Sequence, residues 1–187
     1  MNTYFRRQLA DYVEYHRNWW NGVMHVFGIV SLFLAAVLPL SMWSVPIFGA
    51  PTTAAIIAVL PVLISWLLLD GALGAAILVA AVLLLSAAAM IVGHVTATGV
   101  WLLTAVLIVV GIGFQVVGHQ VFEHRQPSLI HNPAHLLLGP MFVMAKLFIA
   151  LGFRRDLAFI IEENPQESPH SSSFYPEKFP SEPQPKS

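Results

Sequence analysis

The run TGVWLLTAVLIVVGIGFQVVG (98–118) passes without a break into HQVFEHRQPSLIHNPAH (119–135). Its first part is about twenty almost wholly apolar residues, the length that crosses a bilayer core as an α-helix. Its second part gathers His119, His124, His131 and His135 with Glu123 into seventeen positions, although the whole chain has eight histidines. Two questions follow. How often does the chain cross a membrane, and what do the imidazoles meet where it emerges?

Composition settles the class. The 187 residues are 57% hydrophobic and 10% charged, where a soluble domain carries about 25% charged residues. The lipid bilayer is therefore the first expected partner. A net charge of −1 gives no basic surface, so nucleic acid is excluded as a partner. There are no cysteines, which removes disulfides, thiolate chemistry and Cys-based metal sites. A metal in this chain has to be held by His, Asp, Glu or backbone oxygen.

Between Arg17 and Glu123 the one Asp, Glu, Lys or Arg is Asp70. That interval divides into four spans of about 20 residues, at 25–45, 52–70, 72–92 and 98–118. The breaks are VPIFGAP, the Asp70–Gly71 turn signal and GHVTA around His94. Pro39 and Pro61 are expected to kink their spans. A fifth apolar stretch, 133–153, starts well, with Asn132 as N-cap and Pro133 in the first turn. Gly139–Pro140 interrupts it, however, and Lys146 sits inside it. Every Lys and Arg lies at 6–17 or 125–186, so the positive-inside rule puts both regions on the cytoplasmic face after four crossings. A fifth crossing would move Arg154 and Arg155 outside, so a re-entrant or interfacial last helix is expected.

The N-terminus reads as an amphipathic helix. Tyr4, Leu9, Tyr12 and Val13 would lie against lipid, with Arg6, Arg7, Gln8, Asp11 and Glu14 facing water; a plain cytosolic cap helix is the alternative. The expected architecture is an all-α, polytopic membrane helical bundle. It has an N-terminal helix in 1–24, four transmembrane helices in 25–118, and a His-rich segment with a fifth helix in 119–161. A Pro/Ser-rich tail, 162–187, holds six of the thirteen prolines and is expected to be disordered. The alanine- and leucine-rich spans suit a bacterial inner membrane, or the endoplasmic reticulum in a eukaryote.

This topology gives the histidines a meeting place. His16 and His25 precede or open the first span, and His119, His124, His131 and His135 follow the fourth. His94 is left on the other face. Neutral imidazoles with a carboxylate suit zinc, iron or copper with positions left open for substrate. The candidate metal ligands are His16, His25, His119 and His135. Helical continuity from His16 to His25 would put them on opposite faces, so the chain is expected to break, with Asn21–Gly22 as the obvious place. His119 and Glu123, four apart, would share a helical face; Glu123 is either a ligand or an orienting partner. His124 beside Arg125 reads as solvent-facing. Gln115, one turn before His119, is a ligand-binding amide or helix–helix glue. Arg125 and Arg17 are candidates for pairing a substrate carboxylate, against the plainer role of charges flanking a span. Trp19 and Trp20 read as an interfacial aromatic belt, and Asp70 as a turn residue.

The pattern His16-x4-Asn21-x3-His25-x2-Gly28, followed by Gln115-x2-Gly118-His119-x3-Glu123-x3-Pro127 and Gly139-Pro140-x-Phe142, resembles the 2-hydroxy fatty acid dioxygenase family. The likeness covers about residues 8–150, with the middle spans matching in hydrophobicity alone. It implies an Fe2+ cofactor and α-oxidation, in which a 2-hydroxy fatty acid and O2 yield a fatty acid one carbon shorter. It also implies iron ligands among His16, His25 and His119, with Asn21 and Glu123 as catalytic candidates. At 131 and 135 this chain has histidine where the family pattern often has an acid and an amide.

Three rivals stand beside this reading. A di-iron membrane hydroxylase needs more histidines, in denser boxes, than this chain holds outside its tail. A b-type haem protein needs two histidines on facing helices. A small transporter or scaffold needs polar residues in mid-span, where Asp70, near a turn, comes closest.

Overall fold

A computed structural model describes residues 3–14, 18–123, 135–154 and 156–158, without the side chains of Asp11, Glu14, Glu123, His135 and Leu136. The chain forms α1 (Thr3–Glu14), α2 (Trp19–Ser41), β1 (Ser44–Ile47), β2 (Ala50–Thr53), α3 (Ala54–Leu69), α4 (Gly71–His94) and α5 (Ala97–Val117). A π-helical turn (Gly118–Glu123) and α6 (His135–Ala150) complete it. Three helices are long and apolar enough to cross a membrane: Trp19–Ser41, Gly71–His94 and the continuous Ala97–Phe122. Four full spans are expected from sequence, but α3 has 16 residues, about 24 Å of helix, short of the roughly 30 Å hydrocarbon core.

The bundle is organised on the antiparallel pair α2 and α5, its most extensive helix contact. Both helices carry small or polar residues at seven-residue intervals on the buried side. On α2 these are Asn21, Gly28 and Ala35; on α5 and its continuation they are Thr104, Gly111 and Gly118. With no hydrophobic force between helices in lipid, close backbone approach has to supply the packing, and small residues permit it. A Cβ at Gly111 would lie 2.6 Å from Leu32 Cγ, and one at Gly28 would lie 2.8 Å from Gln115 Nε2. Aromatic pairs flank the seam, with Phe27 stacked on Phe114 and Trp20 on Phe122. Away from it, Val79, Leu83 and Val109 are exposed, as lipid-facing surfaces should be.

Several expectations are corrected. The first apolar helix starts at Trp19 rather than 25, and Asn18, in extended conformation, caps it by accepting from the Trp20 amide. Asn21 and Gly22 therefore lie inside α2, and the break toward His16 falls before them. The VPIFGAP break is a two-stranded antiparallel hairpin, so the chain is not wholly α. Pro46 stands opposite Pro51, one pair in from a two-residue turn, where an antiparallel ladder needs no N–H. Phe48 and Gly49 take the positive φ values, 50° and 80°, that such a turn demands. In α1 the inward residues are Phe5, Leu9, Tyr12 and Val13, while Tyr4 is exposed. This face packs on protein rather than lipid: the Tyr12 ring lies 5.1 Å from that of Phe142 in α6.

Helix α6 packs against α1, α2, α3 and α4. Near its start, the Leu137 carbonyl accepts from Trp66 Nε1 at 2.7 Å, one turn before Asp70. Beyond its end, Arg154 grips Asp70 through two hydrogen bonds of 2.9 and 3.0 Å. Asp70 is more than a turn residue. It caps α4 by accepting from the Ala72 and Leu73 amides, and its side chain is 3% exposed. Burial pushes its carboxyl up, but hydrogen bonds from Arg154 and the Leu73 amide outweigh this and hold it below the ordinary carboxylate value.

Arg154 is 20% exposed and also pairs with Asp156, so losing Asp70 removes a charged hydrogen bond and the α4 cap without stranding the guanidinium. Asp70→Ala is expected to cost about 1.5–3 kcal/mol, read by thermal unfolding in detergent. Asp70→Asn, which keeps a capping oxygen, is expected to cost less. The ion pair stabilises fully above the unfolded carboxyl value of 3.8 and is lost as pH falls through the lower folded value. The melting-temperature gap between wild type and Asp70→Asn should thus be constant above about pH 5 and close below about pH 4.

Candidate metal centre at the α2–α5 seam

Residues 25 and 119, ninety-four positions apart, meet. His25 is on the second turn of α2, and His119 is the second residue of the π-helical turn that continues α5. Their Nε2 atoms are 3.2 Å apart, and the rings stand edge to face at 87° with centroids 4.9 Å apart. Both side chains are buried, at 6% and 3% exposure. The small-residue seam is what allows this approach. Gly118, immediately before His119, lies against the fully buried Asn21, and a Cβ there would collide with the Asn21 Oδ1. Below the pair, Gln115 covers Gly28. Above it, the Asn18 side-chain amide donates to the Phe122 carbonyl at 3.4 Å.

The turn that carries His119 is wound i→i+5, and the Glu123 side chain lies outside the description. Such wider turns occur often at functional sites, and this one carries a buried imidazole. His94 lies at the end of α4, its Nδ1 2.8 Å from the Met90 carbonyl and exposed, away from the other two. Trp19 and Trp20 are exposed on the first turn of α2, where an interfacial belt would be.

Two imidazole nitrogens bound to one ion at about 2.0–2.1 Å, at angles from square to tetrahedral, stand roughly 2.9–3.4 Å apart. The His25–His119 gap falls inside that range, so the donor set fits a shared metal. The same distance suits an N–H···N hydrogen bond between neutral rings. Among the described residues no group of three or more His, Cys, Asp or Glu could hold a metal. The other expected ligands lie outside the description: His16 altogether, and His135 in its side chain, although its backbone opens α6. Arg17, His124, Arg125, His131, the Glu123 side chain and the tail from 162 lie outside it as well.

Lys146 is a residue of the site that the sequence reading used only as an argument against a fifth span. Its Nζ lies 3.5 Å from where a Cβ on Gly22 would be, three residues before His25, and 4.6 Å over the Phe142 ring centroid. The available signal was a lone cation in an otherwise apolar helix.

Residues 2–151 match the family described as 2-hydroxy-palmitic acid dioxygenase Mpo1-like. The chain belongs to the Mpo1-like family. It is 34% identical over 161 residues to the 2-hydroxy-palmitic acid dioxygenase MPO1 of Saccharomyces cerevisiae, covering 85% of this chain and 88% of the yeast protein. No solved structure matches it. His25, His119, Asn21, Gln115 and Lys146 all fall within the matched segment.

Two glycines of the seam should respond differently. Gly118→Ala drives a methyl into a buried amide and is expected to cost about 1–3 kcal/mol and to displace His119. Gly28→Ala meets mainly the flexible end of Gln115, so its loss should be smaller. Thermal unfolding of both variants, with metal content measured on the same samples, checks the order.

Proposed function

We propose that this Mpo1-like protein is an Fe(II)-dependent membrane dioxygenase that shortens 2-hydroxy fatty acids by one carbon, using O2. Family membership supports the substrate class. The observation that carries the site is the buried pair of imidazole nitrogens 3.2 Å apart on two antiparallel apolar helices. His25 and His119 would hold the metal, joined by His16 and His135, with Glu123 as a further ligand or as an orienting partner. Bound there, Fe(II) would supply a centre for activating O2 beside the hydroxyl-bearing carbon of the substrate.

The chain's own residues do the rest. The π-helical turn aims His119 inward, Asn21 fixes the backbone beside it through Gly118, and Gln115 closes the seam below. Burial keeps bulk water from the ligand face. A long acyl chain has lipid and apolar helix surface around it, so the reacting head would be presented at one end of the bundle. In the proposed topology α3 acts as a fourth crossing despite its length, since it returns the chain from the hairpin to Asp70. Helix α6 re-enters without crossing, and the histidine end faces the cytoplasm.

The haem alternative is disfavoured by distance. Two axial imidazoles stand roughly 4 Å apart on opposite sides of a porphyrin, and the observed gap leaves no plane between the rings. A scaffold would have no use for a buried imidazole pair, because polar groups at membrane depth are costly.

Detergent-purified protein is expected to retain iron, lack a Soret band and convert 2-hydroxypalmitate to a C15 acid with O2 consumption. His25→Ala and His119→Ala are each expected to lose bound iron and to drop turnover more than about a hundredfold, beyond the effect of losing an outer-shell partner. Wild-type protein that carries no metal and leaves the hydroxy acid intact would overturn the assignment.

A further inference from the structure

The stripe of α2 that begins at Gly22 continues through Val26, Ile29, Val30 and Phe33, positions spaced as one helical face. The last four line a half-open apolar groove of about 130 Å³, bordered on its other sides by residues that include Trp66, Ala81 and Met144. No polar surface lines it. At the head of the same stripe, over Gly22, stands the Lys146 ammonium. It is steadied on the Phe142 ring, which is itself buried and packed on Tyr12. From Gly22 to Phe33 is eleven residues, roughly 16 Å of helix. His25 lies beside the upper end of this line.

A cation above an apolar groove, with a candidate metal pair alongside, has the outline of an amphiphilic acid. We propose that Lys146 binds the carboxylate of the acyl substrate while the groove under Gly22 takes the first part of its chain, placing the carbon next to the carboxylate beside His25 and His119. This assignment rests on the fatty-acid reading above and deepens it. It gives the carboxylate a partner other than Arg17 or Arg125. Charge selects the head, since an ammonium in a partly buried setting gains more from a carboxylate than from a hydroxyl. Shape selects the tail. A cavity of this size holds about a benzene-sized group, so about half a dozen carbons would sit inside it and the remainder would lie in lipid. Gly22 is required to be small, because a side chain there would occupy the position of the head.

The test is binding, which does not depend on turnover. Radiolabelled 2-hydroxypalmitate and its reduced counterpart, hexadecane-1,2-diol, are titrated into the full-length protein in detergent. Wild type is expected to prefer the acid. Lys146→Met should weaken the acid about tenfold to a hundredfold, the worth of a hydrogen bond to a charged group, and leave the diol unchanged. Lys146→Arg should restore most of the preference. Ala81→Phe, which fills the groove, should weaken 2-hydroxypalmitate at least about tenfold relative to 2-hydroxybutyrate.

Lys146→Met binding the acid as wild type does, or an equal loss for acid and diol, overturns the head assignment. An unchanged chain-length preference in Ala81→Phe overturns the groove. If the protein binds the acid as described but neither holds iron nor consumes O2, the catalytic reading fails while this one stands.

Discussion

Everything at the site depends on how closely α2 and α5 approach. Two helices separated by ordinary apolar side chains have axes 8–10 Å apart, and imidazoles projecting from them would meet at varied geometry. Here glycine at 28, 111 and 118 removes the spacers, and Asn21 fills the place left at Gly118. The helices then sit near enough for His25 and His119 to come nose to nose at 3.2 Å. In lipid this seam has no water-exclusion force behind it, so its strength is van der Waals contact and a few polar bonds. A small change in backbone spacing is therefore transmitted directly to the nitrogen–nitrogen distance.

Part of this was legible in the chain. Apolar runs and the single Asp70 between Arg17 and Glu123 gave helices in nearly their observed places, and the even return of the chain brought residues 25 and 119 to one end. What escaped was local geometry. The hairpin at 44–53 carries two prolines, a residue that argues against a strand unless the two face one another where no N–H is used, as Pro46 and Pro51 do. The π-helical winding at Gly118–Glu123 has no composition signature. The inward face of α1 slipped by one residue, from Tyr4 to Phe5, because either fits an amphipathic pattern. The seven-residue spacing of Asn21, Gly28 and Ala35, mirrored by Thr104, Gly111 and Gly118, was readable and marks the seam.

The polar groups of the bundle divide unevenly. Asn21, His25, His119, Lys146, Asp70 and Arg154 are all engaged around the ends of α2, α5 and α6, whereas the far end shows an exposed His94 and a hairpin of apolar and hydroxyl residues. In a lipid setting each buried polar group has to be satisfied by another. Clustering suits them, because pairs such as His25–His119 and Asp70–Arg154 can then form. The same clustering confines any chemistry to one end, with apolar helix surface beneath it.

Asp70 shows how this economy shapes the last helix. A carboxylate 3% exposed at a helix junction would be prohibitive alone; the N-terminus of α4 offers it two amides, and that is still short of a counter-charge. Arg154 completes the set from beyond α6. For the guanidinium to arrive there, α6 must finish near the α3–α4 junction, one turn from where Trp66 holds its beginning at Leu137. The pair thus fixes the chain beyond α6 at the α3–α4 junction, and α6 carries Lys146 over Gly22 on the way there.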